Sequence, residues 1–201
     1  MGRRPRSQGR GERPEGRCGV ILALDPSSEC TGYAMLGADR GIIESGTIRP
    51  NRADATPAAR VLTIGREVGA LVKRLSPGVV VVETPFATPR GGPKARRSAM
   101  TLPTYGMAVG AALAAVDAWR RTHDPAPTLV TVPADEWSRG LAGTRDDAHK
   151  TKRVQAVAYL YQIDPSALGP KTIAGNVADA ILMARWALSA RAGEEGSRWR
   201  R

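Results

Sequence analysis

The sequence predicts an α/β protein in which a five-stranded mixed sheet carries helices on both faces. Two observations indicate this class. Short apolar runs rich in β-branched residues alternate with longer stretches in which apolar residues recur every three or four positions. The first three short runs are separated by links of only a few residues, which join antiparallel neighbours, because a parallel crossover needs a much longer connection.

Five strands are predicted at 19–24, 31–36, 41–49, 79–83 and 128–132. Helices are predicted at 57–75, from about 98 to Arg121, at 148–162 and at 176–190. The order is βββαβαβα, with the last two helices counted as one helical segment, and 201 residues suffice for one domain. On the second helix, Gly106, Gly110 and Ala114 form a stripe of small residues that predicts close packing against the sheet.

The chain is strongly basic, with 30 Lys and Arg residues against 19 Asp and Glu residues and a net charge of +11. Such a surplus favours a polyanionic partner, most commonly nucleic acid, although a genomic bias toward arginine codons is an alternative explanation. We expect a disordered basic arm at 1–17, one folded domain at 18–190 and a basic tail at 191–201.

The composition also predicts a cellular location. Cys18 and Cys30 lack the spacing of a metal or redox motif, so we expect free thiols in a reducing compartment. No apolar run is long enough to span a membrane, and no apolar segment follows the basic N-terminus as it would in a signal peptide. We therefore expect a cytoplasmic protein that does not contact a membrane.

Three acids stand where the predicted elements end or begin. Asp25 ends the first strand, Glu83 ends the fourth strand, and Asp179 is predicted in the first turn of the last helix. Functional residues of open α/β sheets gather at the carboxyl ends of the strands. Converging carboxylates repel one another unless cations bind between them, and Mg²⁺ or Mn²⁺ suits such oxygen ligands. Two such ions per subunit, about 4 Å apart, would support phosphodiester hydrolysis.

Each acid also has a structural interpretation. Asp25 precedes Pro26 and is typical of a residue that starts a turn. Asp179 lies three residues after Asn176, and together they match a helix start in which Asn176 is the N-cap. Glu83 is harder to explain structurally, because an acid at the end of a buried strand loses hydration unless it is paired.

Two basic segments are candidates for binding DNA. The predicted loop at 84–97 contains Arg90, Lys94, Arg96 and Arg97 and no acid. It is either a solvated surface loop or a loop that binds phosphates beside the acids. The start of the helix at 148–162 contains His149, Lys150, Lys152 and Arg153, which form either an exposed basic face or a phosphate site.

Four motifs resemble the Holliday-junction resolvases of the RuvC family, particularly its phage and prophage-like members. They are ILALDPSSECTGYAML, VVVVETPF, SAMTLPTYGMAVGAALAA and GNVADAILMARWAL, and the likeness spans about 19–190. The resemblance implies a ribonuclease H-like fold and a homodimer that binds four-way DNA junctions and makes paired symmetric nicks with Mg²⁺ or Mn²⁺. It implies catalytic roles for Asp25, Glu83 and Asp179.

The resemblance also implies roles for three further residues. Asn176 stands at a metal-binding position that is usually Asp or His in this family. Phe86 matches an aromatic residue that can stack on an unpaired base at the junction centre; its alternative role is to seat the loop on the core. A Lys near the start of the 148–162 helix contacts DNA in the family, and this position is either Lys150 or Lys152.

Other functions remain open at this point. A branched-DNA-binding protein with weak or no cleavage would explain the uncharged Asn176. A ribonuclease H acting on RNA–DNA hybrids would use the same acids and metals. A sugar-kinase or actin-type ATPase also begins with a strand that ends in Asp, but it needs a second related domain and a glycine-rich phosphate loop, for which this chain is too short.

Overall fold

A computed structural model describes residues 19–51, 53–54, 56–85, 93–138 and 148–193, with only the backbone described for 93–101, 148–149 and 192–193. The strands are β1 (Ile21–Asp25), β2 (Thr31–Leu36), β3 (Ile42–Ile48), β4 (Val79–Thr84) and β5 (Thr128–Pro133). The helices are α1 (Pro57–Leu75), α2 (Pro93–Arg120), α3 (Ala134–Trp137), α4 (Ala148–Tyr161) and α5 (Lys171–Gly193), with a 3-10 helix at Pro165–Leu168 before α5.

Within the described residues, the strands form one mixed sheet in the order β3-β2-β1-β4-β5. The first three strands pair as an antiparallel meander, and β4 pairs in parallel with β1 and β5. The predicted fold class is confirmed. The chain continues after β5 through three α-helices and a 3-10 helix, which is a longer series than the predicted βββαβαβα.

The sheet separates two hydrophobic clusters. Ile21 and Ala23 of β1 point toward α5, whereas Leu22 and Leu24 point toward α1 and α2. All four side chains are fully buried, and complete burial of each large aliphatic side chain stabilises the fold by about 1.5–3 kcal/mol. The continuous apolar sequence of β1 therefore reflects a strand that is covered on both faces, and β4 has the same pattern.

Helix α1 has the bounds predicted from the sequence because its ends carry clear local signals. The Thr56 side chain accepts a hydrogen bond from the Ala59 amide, and Pro57 occupies the first turn. Ser76 ends the helix in a left-handed conformation.

Two other predicted helix starts were wrong. Helix α2 begins at Pro93, so the last five residues of the predicted 84–97 loop are helical. Helix α5 begins at Lys171, which places Asn176 and Asp179 inside the helix and excludes the N-cap interpretation of Asn176. Ala174 is buried in the core and anchors the added turn at 171–175, and such tertiary packing outweighs the local cap signal. Helix α5 also continues to Gly193, into the segment predicted as a tail.

The stripe of small residues on α2 does not pack against the sheet as predicted. Gly106, Gly110 and Ala114 are exposed, and a methyl group added at either glycine would meet nothing within 4 Å. The buried side of α2 instead carries Ala108, Ala112 and Val116. Both stripes have helical spacing, so periodicity alone could not distinguish the buried side from the exposed one.

None of the helices in the described part of the chain is long and apolar enough to cross a membrane.

Helix α5 lies unusually close to β2. A Cβ added at Gly32 would collide with the backbone carbonyl of Asn176. Gly32 is the β2 partner of Asp25 in the sheet register. A glycine at this position therefore lets the α5 backbone rest directly on the strand beside Asp25.

Substitution of Gly32 tests this contact. Gly32→Ala should lower the free energy of unfolding by about 2–3 kcal/mol, because the added methyl group must displace α5. Gly69→Ala is the matched control: its Cβ would lie 3.9 Å from Ala115, an ordinary contact, and Ala in a helix interior should stabilise by about 0.5–1 kcal/mol. Urea denaturation measures both, and equal effects of the two substitutions would contradict the close approach.

Candidate active site

The site begins with the parallel pairing of β1 and β4. Leu24 is paired with Val82, so the next residues, Asp25 and Glu83, leave the two strands side by side. The turn after Asp25 is closed by Thr31, whose hydroxyl donates to the Ser27 carbonyl at 3.0 Å and accepts from the Ser27 amide at 3.1 Å. The buried Thr31 thus returns the chain tightly into β2 and leaves the end of β1 facing the site.

Glu83 is held by two aromatic side chains. The Trp137 indole N–H donates to Oε2 of Glu83 at 2.8 Å, and the Tyr105 hydroxyl donates to Oε1 at 3.3 Å. Burial, together with the nearby Asp179, raises the pKa of Glu83 to about 7, although the two hydrogen bonds and Arg153 favour the charged form. Glu83 is therefore a carboxyl group whose charge depends on pH near neutrality.

Helix α5 supplies Asp179, which is only 6% exposed. Its Oδ1 atom accepts a hydrogen bond from Arg153 Nη1 at 2.7 Å, within an ion pair between α5 and α4. One turn earlier, Asn176 accepts a hydrogen bond from Lys150 Nζ at 2.8 Å and donates from Nδ2 to the Cys30 carbonyl at 2.8 Å. Asn176 thereby connects α5 to the turn that follows Asp25.

The three acids belong to one electrostatic site. The pKa of Asp25 is raised well above its ordinary value, first by burial and then by the charges of Glu83 and Asp179. Lys150 and Arg153 act on the same carboxyl group in the opposite direction. The prediction that Asp25, Glu83 and Asp179 lie together is supported by this mutual influence.

The donors fit a divalent cation in their chemistry. Three carboxylates and the Asn176 amide oxygen are hard ligands of the kind that Mg²⁺ and Mn²⁺ prefer. Among the described residues, however, no group of three or more His, Cys, Asp and Glu side chains is arranged to hold a metal ion. The positively charged groups in contact with these residues are side chains: Arg153 contacts Asp179, and Lys150 contacts Asn176.

The predicted DNA-binding residues fall into three groups. Lys150 and Arg153 contact site residues, whereas Lys152 is exposed one position before Arg153. Lys94, Arg96 and Arg97 lie on the first turns of α2, where the structure describes the backbone alone. Phe86 and Arg90 lie outside the described residues, as do residues 1–18 and 194–201.

Sequence reasoning missed Trp137 and the contact of Tyr105 with Glu83. A signal for Trp137 was present: it follows β5, and β5 is parallel to β4, so residues just after both strands lie at the same end of the sheet. Trp137 is 2% exposed, and the Arg153 guanidinium lies 5.0 Å from its ring centroid. Tyr105 lies on α2, and nothing in its spacing indicated a partner.

Fold and site together define a ribonuclease H-like α/β protein with a carboxylate cluster at the carboxyl ends of its central parallel strands. The RuvC protein of T. thermophilus in complex with a Holliday junction substrate has this fold, with a TM-score of 0.61 and 20% identity over 87% of this chain and 96% of that one. The yeast mitochondrial Holliday junction resolvase Ydc2 matches with a TM-score of 0.59 and 16% identity, over 89% of this chain and 81% of that one.

A sequence relative points the same way. The crossover junction endodeoxyribonuclease RuvC of Solidesulfovibrio magneticus is 34% identical over 116 residues, which are 56% of this chain and 63% of that protein. The chain thus spans about three fifths of the length of this curated relative. No protein-family model matches the chain. The likeness to RuvC resolvases that the motifs indicated is confirmed, as is the ribonuclease H-like fold.

The raised pKa of Glu83 predicts a pH-dependent cost to stability. Because the folded-state pKa of about 7 exceeds the ordinary value of 4.5, the fold loses stability as the pH rises between these values. Glu83→Gln removes the charge. The free energy of unfolding of the variant, relative to that of the unmodified chain, should therefore be higher at about pH 8.5 than at about pH 5.5, by about 1–2 kcal/mol.

Glu44→Gln is the control for this measurement. Its hydrogen bonds with Arg74 lower the pKa of Glu44 to about 2, so its stabilising contribution is lost only in acid. Denaturation at both pH values should show the same loss for Glu44→Gln. A pH-independent effect of Glu83→Gln would mean that Glu83 is already ionised at about pH 5.5.

Proposed function

We propose that the chain is a RuvC-family resolvase, a structure-selective endonuclease that cleaves four-way DNA junctions by paired symmetric nicks. The observation that carries this proposal is the set of three acids, Asp25, Glu83 and Asp179, whose charges influence one another at the carboxyl ends of β1 and β4. The 34% identity to a crossover junction endodeoxyribonuclease supports the same reaction.

The proposed chemistry is hydrolysis of a phosphodiester, which yields one phosphate monoester and one hydroxyl end. Asp25, Glu83 and Asp179 would hold two Mg²⁺ or Mn²⁺ ions per subunit, with the Asn176 amide oxygen as a further ligand. When bound, such ions activate water and stabilise the charge that develops on the phosphate. Trp137 and Tyr105 fix the rotamer of Glu83 through their hydrogen bonds.

Basic residues around the acids would bind the DNA backbone. Lys150 donates a hydrogen bond to Asn176 at the site, and this contact favours Lys150 over Lys152 as the lysine that approaches the cleaved strand. We assign Lys152 and the basic residues Arg90, Lys94, Arg96 and Arg97 to flanking phosphates. We further propose that Phe86 stacks on a base. The folded domain would span 18–190, with additional basic DNA contacts from 1–17 and 191–201. We place the activity in the cytoplasm.

Two sites are needed for paired nicks, so we propose a homodimer. The outer side of α2 is a candidate interface because it is apolar or small over several turns. It comprises Leu102 and Met107, which are 40% and 47% exposed, and the exposed Gly106, Gly110 and Ala114. Small residues let two helices approach closely, and exposed apolar patches mark interaction surfaces.

A junction-nicking assay tests the proposed reaction. With Mg²⁺ or Mn²⁺, Asp179→Asn should reduce cleavage of a four-way junction by at least about 100-fold and leave junction binding largely intact, because a metal ligand loses its charge. Asp164→Asn is the matched control, since Asp164 is exposed and caps the 3-10 helix through the Ser166 amide. Preferential cleavage of an RNA–DNA hybrid would instead indicate a ribonuclease H.

The second candidate is a junction-binding protein that cleaves weakly or not at all. The uncharged Asn176 favours it, because an amide contributes a ligand oxygen without charge. Metal-independent junction binding without nicks by the unmodified chain would establish this function and refute the first.

The dimer proposal has its own test. Gly110→Arg places a long cation on the outer side of α2 and should shift the protein toward monomers in sedimentation equilibrium, because a charge at the centre of an apolar interface loses its hydration. Gln155→Arg, on the exposed side of α4, is the control. A Gly110→Arg protein that is as dimeric as the control would place the interface elsewhere.

A further inference from the structure

Asp179 has a cationic partner of its own. Arg153 Nη1 lies 2.7 Å from Asp179 Oδ1, and both side chains are largely removed from solvent, with 22% and 9% of their surfaces exposed. A contact of this length is a charge-assisted hydrogen bond, which is roughly twice as strong as a neutral one. The pair therefore does more than a surface ion pair to fix the carboxylate.

Arg153 is itself held in place by the site. Its guanidinium lies 5.0 Å from the ring centroid of Trp137, within cation–π distance. The same indole donates to Oε2 of Glu83 at 2.8 Å. Trp137 thus contacts Arg153, the partner of Asp179, with the face of its ring and Glu83 with its N–H group.

A guanidinium and a divalent cation both bind to the negatively charged oxygens of a carboxylate. Both require its negative charge at short distance, and two cations close to one oxygen repel each other. A metal ion bound at Oδ1 of Asp179 and the ion pair that Arg153 makes with the same atom are therefore alternatives. Arg153 is the cation in contact with Oδ1 of Asp179, so a metal ion that binds at this atom has to displace it.

We propose that Arg153 competes with divalent cations for Asp179, so that metal binding exchanges the Arg153–Asp179 ion pair for a metal–carboxylate contact. This inference rests on the proposed metal site. It assigns Arg153 as a positioning residue that holds Asp179 until a metal ion replaces it, with Trp137 as its support.

Metal affinity tests the exchange directly. Arg153→Gln keeps a hydrogen-bond donor near Asp179 but removes the charge, so calorimetric titration should show Mn²⁺ binding about tenfold more tightly than to the unmodified chain. Lys152→Gln removes the same charge one position away, at an exposed side chain, and should change the affinity by less than about twofold. Unchanged or weaker Mn²⁺ binding by Arg153→Gln would overturn the proposal.

A second measurement needs no destabilising substitution. In the unmodified chain, the guanidinium NMR signal of Arg153, identified by its loss in Arg153→Lys, should change as Mg²⁺ saturates the site. A signal that stays constant while the Asp179 amide signal shifts would refute the exchange. Both measurements are independent of cleavage, so a chain that shows the exchange but cuts no junction would refute the nuclease proposal alone. Junction cleavage without the exchange would refute this inference alone.

Discussion

Asp25 and Glu83 at one end of the sheet and Asp179 on α5 must lose water and approach like charges, and the rest of the site compensates for this cost. For Glu83, the rise in pKa from 4.5 to about 7 corresponds to a cost on the order of 3 kcal/mol at high pH. The compensation comes from neutral donors at Glu83 and from Lys150 and Arg153 near Asp25 and Asp179. These contacts reduce the cost without removing it.

The backbone creates this crowding through two features. Parallel pairing of β1 and β4 aligns Asp25 with Glu83, and the absence of a side chain at Gly32 lets α5 approach β2. Asp179 is brought in by that approach, because Asn176 connects the same part of α5 to the Cys30 carbonyl. The geometry of the acids is thus fixed by sheet register and by one small residue, and neither depends on the acids themselves.

The sequence predicted the parts of this arrangement that depend on local patterns. The strands, α1 and the order of the acids follow from apolar periodicity, turn residues and helix caps. The start of α5 could not be predicted locally, because Gly175 and Asn176 are typical of a helix boundary, yet buried neighbours extend the helix to Lys171. Trp137, Tyr105 and Arg153 were not recognised as partners of the acids because these contacts join residues 22 to 54 positions apart.

Asn176 shows how these constraints act on a single residue. Its Nδ2 group donates to the Cys30 carbonyl while its Oδ1 atom accepts from Lys150. A carboxylate at this position would face the carbonyl oxygen without a proton to share, and the connection between α5 and the turn after Asp25 would be lost. It would also add a fourth negative charge to a site in which burial already raises the pKa of two carboxyl groups. The Asn176 amide therefore brings no negative charge to a candidate metal ligand, but its hydrogen bond to the Cys30 carbonyl holds the helix that carries Asp179 in place.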